Sequence, residues 1–236
     1  MPFKLEICTM EILLVAATRQ EIARFVTENP MIEYLFTGVG VPATIYQLQK
    51  RLHAKKYDLV IQAGIAGTYT EDIDIGAVTL VVQDSFGDLG MEENQEFTSI
   101  FDSGFSDPNA FPFSKGWLVN RDHWFHRLNL PLVTGVTVNK VTDSPLQKKQ
   151  IQQHFDPDIE TMEGAACHFV CLQEHIPFLQ VRSISNEAGV RDKKLWDFKG
   201  SIENLRTALD TILGSAMQLG PADFNKPHHS PDATTF

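Results

Sequence analysis

Acidic, amide and glycine residues stand at five places where an apolar run of the chain ends. Glu21 follows the first such run, in "ATRQE". The turn "GIAG", Gly64 to Gly67, closes another. Asn139 in "TVNK" and Asn186 in "RSISN" each stand at the end of a run, and Met162 with Glu163 in "TMEGAA" lies where a short run passes into a helical pattern. Carboxylates accept two hydrogen bonds at once, and an amide offers a donor and an acceptor together. The set therefore suits a small polar ligand. It does not suit a metal: Cys8, Cys167 and Cys171 have no second Cys/His pair at ligand spacing, and His228–His229 stand in a polar tail. Each residue also has an ordinary structural reading. Glu21 fits a solvated helix face, Glu163 a first-turn acid favoured by the helix dipole, and Asn186 a turn cap.

The elements that must position these residues alternate. "EILLVAAT" is apolar throughout, as a strand covered on both faces should be, and "RQEIARFVTE" follows with helical spacing. "IEYLFTGVG", "DLVIQAGIAG", "AVTLVVQDSF", "LPLVTGVTV", "DIETM" and "PFLQVRSIS" read as further strands. "PATIYQLQKRLHAKK", "SPLQKKQIQQHF", "EGAACHFVCLQEH" and "SIENLRTALDTILGSAMQ" read as helices, with Ser144 as N-cap and Pro145 in the first turn of the second. This order implies an α/β fold: a single domain with a twisted, mostly parallel or mixed sheet flanked by helices. In such sheets ligands bind beyond the carboxyl ends of the strands, which is where the five places fall.

The segment from Gly87 to Trp117 breaks the alternation. It reads as a long loop or lid with little regular structure, and its Phe97, Phe101, Phe105, Phe111, Phe113 and Trp117 either pack on the body or line a pocket. Residues 1–9 read as an N-terminal extension, 10–219 as the domain, and 220–236, rich in Pro, Asp and His, as a mobile tail. The net charge of −10 argues against a nucleic-acid partner. No apolar stretch is long enough for a membrane span. The "MPFKLEICTMEILLVAAT" start is too interrupted by Glu6 and Glu11 for a secretion signal, and three cysteines without a framework fit a cytoplasmic protein with reduced thiols.

Taken together and in order, "ATRQE", "AGIAG", "ETMEGAA" and "RSISN" resemble the nucleoside phosphorylase and nucleosidase family. The matching pieces in the methylthioadenosine/adenosylhomocysteine nucleosidases are a Glu after strand one, a G-S-A-G turn, an M-E pair and an S-D pair, and the likeness extends over nearly all of the chain up to the tail. The resemblance implies roles. Glu163 would accept from the ribose 2′- and 3′-hydroxyls and Met162 would pack on the ribose. Glu21 would orient and deprotonate a water attacking the anomeric carbon, and Gly67 and Asn139 would border the site. It also implies no cofactor or metal, and a homo-oligomer whose copies complete each other's sites.

The chain departs from that pattern at Asn186, where the 6-aminopurine nucleosidases have an Asp. An amide matches a 6-oxopurine: its oxygen can accept from N7–H and its NH2 can donate to O6 as the base leaves. "SNEAGVRDKKLW" also resembles the segment after this position in futalosine hydrolases, through Gly189, Arg191, Asp192 and Trp196. That resemblance implies futalosine as substrate, with Arg191 pairing its benzoate; a surface ion pair with Asp192 is the other reading. "AATRQE" retains Arg19 but lacks the Gly and Pro of a phosphorylase phosphate turn, which favours water as nucleophile. A methylthioadenosine/adenosylhomocysteine-type nucleosidase, a purine nucleoside phosphorylase and a non-catalytic nucleoside-binding module are the alternatives.

Overall fold

Ile12–Ala16 form a strand (β1) buried at every position, because alternate side chains enter different layers. Ile12, Leu14 and Ala16 join Ile22 and Phe25 of α1 (Arg19–Glu28) and Leu205, Leu209 and Ile212 of a long closing helix. Leu13 and Val15 point the other way, to Leu48 and Leu52 of α2 (Val41–Ala54) and to Cys167, Val170 and Cys171. Burying each large apolar side chain contributes roughly 1.5–3 kcal/mol, so this one strand fastens both helical layers to the sheet. The computed structural model describes residues 10–122, 124–190 and 192–219. The expected extension and tail, and Arg191, lie outside the described residues.

The chain continues through β2 (Glu33–Phe36), β3 (Leu59–Thr68), β4 (Val78–Phe86), the short strands β5 (Gly90–Glu93), β6 (Glu96–Ser99) and β7 (Leu118–Val119), and β8 (Leu132–Thr137). Then come α3 (Pro145–Phe155), β9 (Ile159–Thr161), α4 (Gly164–Gln173), β10 (Phe178–Glu187) and α5 (Phe198–Gln218). The main sheet is mixed. β1 pairs parallel with β2 and β3, β3 with β10, and β8 with β4 and β9, whereas β10–β4, β3–β9 and β4–β7 are antiparallel. Because β10 pairs with both β3 and β4, the strands β3, β10, β4, β8 and β9 close a circuit, and β1 and β2 extend from it.

The segment from Gly87 to Trp117 is more regular than its composition suggests. β5 and β6 form an antiparallel hairpin, turned by Asn94 and Gln95, both at positive φ (53° and 67°). Two left-handed residues suit a two-residue hairpin turn, but Asn-Gln lacks the glycine that usually announces one. Most of its aromatics pack on the body, whereas Phe105 and Phe111 are exposed. Phe97 lies edge-on to His154 of α3, and Phe113 packs against Phe86 and against Phe169 of α4. Ser144 caps α3 as its sequence implies, accepting from Gln147 N at 3.2 Å. No helix among the described residues is long and apolar enough to cross a membrane.

Candidate active site

The site forms where the second half of β3 runs beside β10. The two strands are parallel, with Arg182 opposite Gly64 and Asn186 opposite Gly67. Between Ile184 and Asn186 the register slips by one residue. Such a bulge bends the strand and redirects the side chain that follows it. Here that side chain is Asn186.

Gly64 allows a close approach that any other residue would block. A Cβ there would lie 2.4 Å from Arg182 Nη1 and 2.8 Å from Glu21 Oε1. The backbone of β3 thus admits a guanidinium and a carboxylate side by side. Gly67 plays a milder version of the same part, with a virtual Cβ 3.2 Å from Asn186 Nδ2.

Glu21 reaches this point from the first turn of α1. Its Oε2 accepts from Thr18 N at 2.8 Å and from Thr18 Oγ at 3.1 Å. That is the glutamate half of a capping box, which satisfies an amide left free at the helix start. Oε2 is therefore held by the cap, and Oε1 is the oxygen turned to Gly64. The carboxylate is half-buried, not a solvated surface group.

Glu163 enters from the opposite side, at the N-cap of α4, and is 5% exposed. Its Oε1 accepts from Gly40 N at 3.0 Å, and its backbone oxygen accepts from Gln62 Nε2 at 3.2 Å. Burial pushes its pKa up; the guanidinium of Arg182 pulls it down and the charge of Glu21 pushes it up. The structure thus brings Glu21, Glu163 and Arg182 into one electrostatic neighbourhood. Met162, beside Glu163, is partly buried.

Asn186 is buried, and its amide is half committed. Oδ1 accepts from Ser185 Oγ at 2.8 Å, and Nδ2 donates to Glu187 O at 2.8 Å. One N–H and one lone pair of the amide remain. Asn139 sits apart: it is exposed beyond β8, where its backbone N and Nδ2 both donate to Asp88, at 2.6 and 3.1 Å. Arg191 lies outside the described residues.

Two contributors escape a reading of strand ends. Arg182 lies inside the run "PFLQVRSIS" and is 1% exposed, with Nε and Nη2 lacking any hydrogen-bond partner. A buried cation left so open is costly unless an anion or a polar ligand answers it, and a charge inside a doubly covered strand was the available signal. Gly40 contributes a backbone N–H at positive φ (92°) where α2 begins. Glu21 also lines, with Ile22, Phe25, Phe198 and Ile202, a groove of about 540 Å³ between α1 and α5.

The sequence model of the Phosphorylase superfamily matches residues 16–217, which contain every described part of this cluster. The chain belongs to the phosphorylase superfamily. Among characterised relatives of this superfamily member, a futalosine hydrolase of Thermus thermophilus is 27% identical over 183 residues, covering 76% of this chain and 80% of its own. A futalosine hydrolase of Streptomyces coelicolor is 24% identical over 161 residues, covering 68% and 67%. In three dimensions, the native futalosine hydrolase of Helicobacter pylori superposes with a TM-score of 0.74 at 17% identity, over 87% of this chain and 98% of that one. The 5'-methylthioadenosine/S-adenosyl homocysteine nucleosidase of Campylobacter jejuni does so with 0.72 at 18%, over 89% and 100%. Both structural likenesses bear on the fold, and both agree with the mixed sheet and its flanking helices.

Proposed function

We propose that this phosphorylase-superfamily protein is a nucleosidase that hydrolyses the N-ribosidic bond of futalosine, giving hypoxanthine and dehypoxanthine futalosine for menaquinone biosynthesis. The observation that carries the reading is Asn186: a buried amide with one N–H and one lone pair uncommitted, opposite Gly67 at the site. That pair complements N7–H and O6 of a 6-oxopurine. The names of the relatives from Thermus and Streptomyces point the same way.

In this mechanism the C1′–N9 bond breaks through an oxocarbenium-like state and its electrons pass to the base. Glu163 holds the ribose hydroxyls, and Met162 packs on the sugar. Glu21 Oε1 takes the proton of the attacking water, and Arg182 Nη1, across the face of Gly64, helps to fix that water. The water supplies hydroxide to C1′. The departing hypoxanthine anion takes up a proton from solvent at N7; that N7–H donates to Asn186 Oδ1 while Nδ2 donates to O6. Gly67 leaves room for that amide, and Arg191 pairs with the benzoate carboxylate. No cofactor takes part. A homo-oligomer belongs to this reading, and exposed Met31, Val39 and Tyr46 support it.

A nucleoside panel in phosphate-free buffer tests the reaction. Free dehypoxanthine futalosine should accumulate without phosphate; turnover that requires added phosphate and yields a sugar 1-phosphate would make the protein a phosphorylase. Inosine should react far more slowly than futalosine, because remote binding energy supports catalysis, and Arg191→Ala should narrow that gap. Asn186→Asp tests the base. Activity on futalosine should fall by on the order of 10²–10³, as for loss of one preorganised donor, while activity on aminofutalosine falls less or rises. An unchanged oxo/amino preference would return Asn186 to a turn residue.

A further inference from the structure

One buried carboxylate takes no part in the chemistry above. Asp84, on β4, has no exposure to solvent, and burial pushes its pKa up to about 7. An acid so placed is unfavourable unless its oxygens are well used. Thr137 Oγ donates to Oδ1 at 2.9 Å, and Gln180 Nε2 donates to Oδ2 at 3.1 Å. Thr137 Oγ also accepts from Ala165 N at 2.7 Å and lies 3.1 Å from Thr161 Oγ, which accepts from Gly164 N at 3.1 Å. Gly164 and Ala165 open α4.

These contacts set a direction for every proton. A hydroxyl has one proton and two lone pairs. If Thr137 donates to Asp84, its lone pairs are left for the Ala165 amide and for the Thr161 hydroxyl, and Thr161 keeps a lone pair for the Gly164 amide. The chain therefore runs from the first two amides of α4 to Asp84, which ends it. Helix starts are usually capped by the N-cap side chain itself. The N-cap here is Glu163, and it makes no side-chain cap bond. The two threonines cap the helix in its place, and the Glu163 carboxylate is released toward Gly40 and the site.

Gly164 fits the same arrangement. A Cβ at that position would lie 2.2 Å from Asp84 Oδ2 and 2.1 Å from Gln180 Nε2. The residue after Glu163 has no side chain, and Asp84 rests directly against the first turn of the helix.

We propose that Asp84 is a positioning residue for Glu163: through Thr137 and Thr161 it fixes the first turn of α4 and so aims the Glu163 carboxylate at the sugar hydroxyls. The proposal rests on Glu163 reading the ribose, as in the function given above.

The test compares Asp84→Asn, Thr137→Val, Thr137→Ser and Glu163→Gln on futalosine and on its 2′-deoxy analogue. Asp84→Asn should lower kcat/KM on futalosine by on the order of 10²-fold, the effect of a misplacement near 1 Å, and should lower it much less on the 2′-deoxy substrate. Thr137→Val should do the same, and Thr137→Ser, which keeps the hydroxyl, should restore the ratio. Amide exchange at Gly164 and Ala165, read without substrate, should quicken in Asp84→Asn and in Thr137→Val. Should Asp84→Asn not fold, the Thr137 pair carries the test alone. Equal losses on both substrates, or exchange at those amides as slow as in the wild type, would overturn the proposal. If Glu163→Gln itself fails to distinguish the two substrates, the ribose reading fails, while the exchange result still decides whether Asp84 holds the helix.

Discussion

At the start of α1, the acidic residue that faces the site is also part of the helix's cap. At the start of α4 it is not. Glu21 gives Oε2 to Thr18 and leaves Oε1 turned to Gly64. Glu163 caps nothing with its side chain, and threonines from β8 and β9 take the amides it would otherwise serve. The difference separates two demands that a site makes on a carboxylate. A group that moves a proton gains from a rigid hold on its second oxygen, because its free oxygen must not wander. A group that is proposed to grip a diol needs lone pairs left for the sugar; Glu163 Oε1 already accepts from Gly40 N, so the capping of the helix passes to neighbours.

The sharpest way to break this comparison is at Glu21. Glu21→Gln keeps an acceptor for Thr18 but cannot take a proton. It should lose on the order of 10²–10⁴ in kcat while its unfolding midpoint in urea stays near that of the wild type. Glu21→Ala should lose the same activity and, in addition, roughly 0.5–2 kcal/mol of stability, the usual cost of a lost cap. If the alanine variant unfolds with the wild type, the cap is not a second duty of this residue. If the glutamine variant turns over within a few-fold of wild type, Glu21 is only a cap.

Glu163 should behave in the opposite way. Glu163→Gln replaces a charged acceptor worth roughly 1.5–3 kcal/mol per hydrogen bond, so kcat/KM should fall by about 10–100-fold. Stability should hold or rise. Burial pushes the pKa of Glu163 above its ordinary value, so the fold disfavours its charged form at neutral pH, and the amide removes that penalty. A destabilised Glu163→Gln would mean that this carboxylate supports the fold after all.

An effect read through pH lies behind α4. Burial lifts the pKa of Asp84 from the ordinary 3.8 to about 7 in the folded protein. A raised pKa contributes stability that is fully present below the unfolded value and is lost as pH rises through the folded one. The wild type should therefore lose stability relative to Asp84→Asn between about pH 4 and about pH 7, with little further change above. Urea unfolding of both proteins across that range measures the difference. A difference that stays flat would mean that Asp84 ionises as freely inside as outside.

Much of this arrangement is legible in the order of residues alone. β1, β3 and β10 read as apolar runs of strand length, α1 falls at Arg19–Glu28 as its spacing predicts, and the strand-to-helix step at Met162–Glu163 stands where β9 gives way to α4. Local pattern carries these because burial on one or both faces writes a period into the residues. Other parts leave no local mark. The antiparallel pairing of β10 with β4 depends on residues about a hundred positions apart. The hairpin turn at Asn94–Gln95 uses left-handed residues without glycine. Arg182 and Asp84 look like stray polar residues within the runs "PFLQVRSIS" and "TLVVQDSF". Only burial on both faces turns them into charges that must have a purpose, and that burial comes from helices elsewhere in the chain.

The circuit of strands has a mechanical consequence. A strand at the margin of a sheet peels off by breaking one ladder. Arg182 is held on both sides at once, opposite Gly64 of β3 and Thr79 of β4. Loosening that part of β10 means tearing two seams together, which approaches the work of opening the whole domain. The floor beneath the guanidinium cannot breathe to admit a nucleoside. Entry and exit are left to the loops at the strand ends.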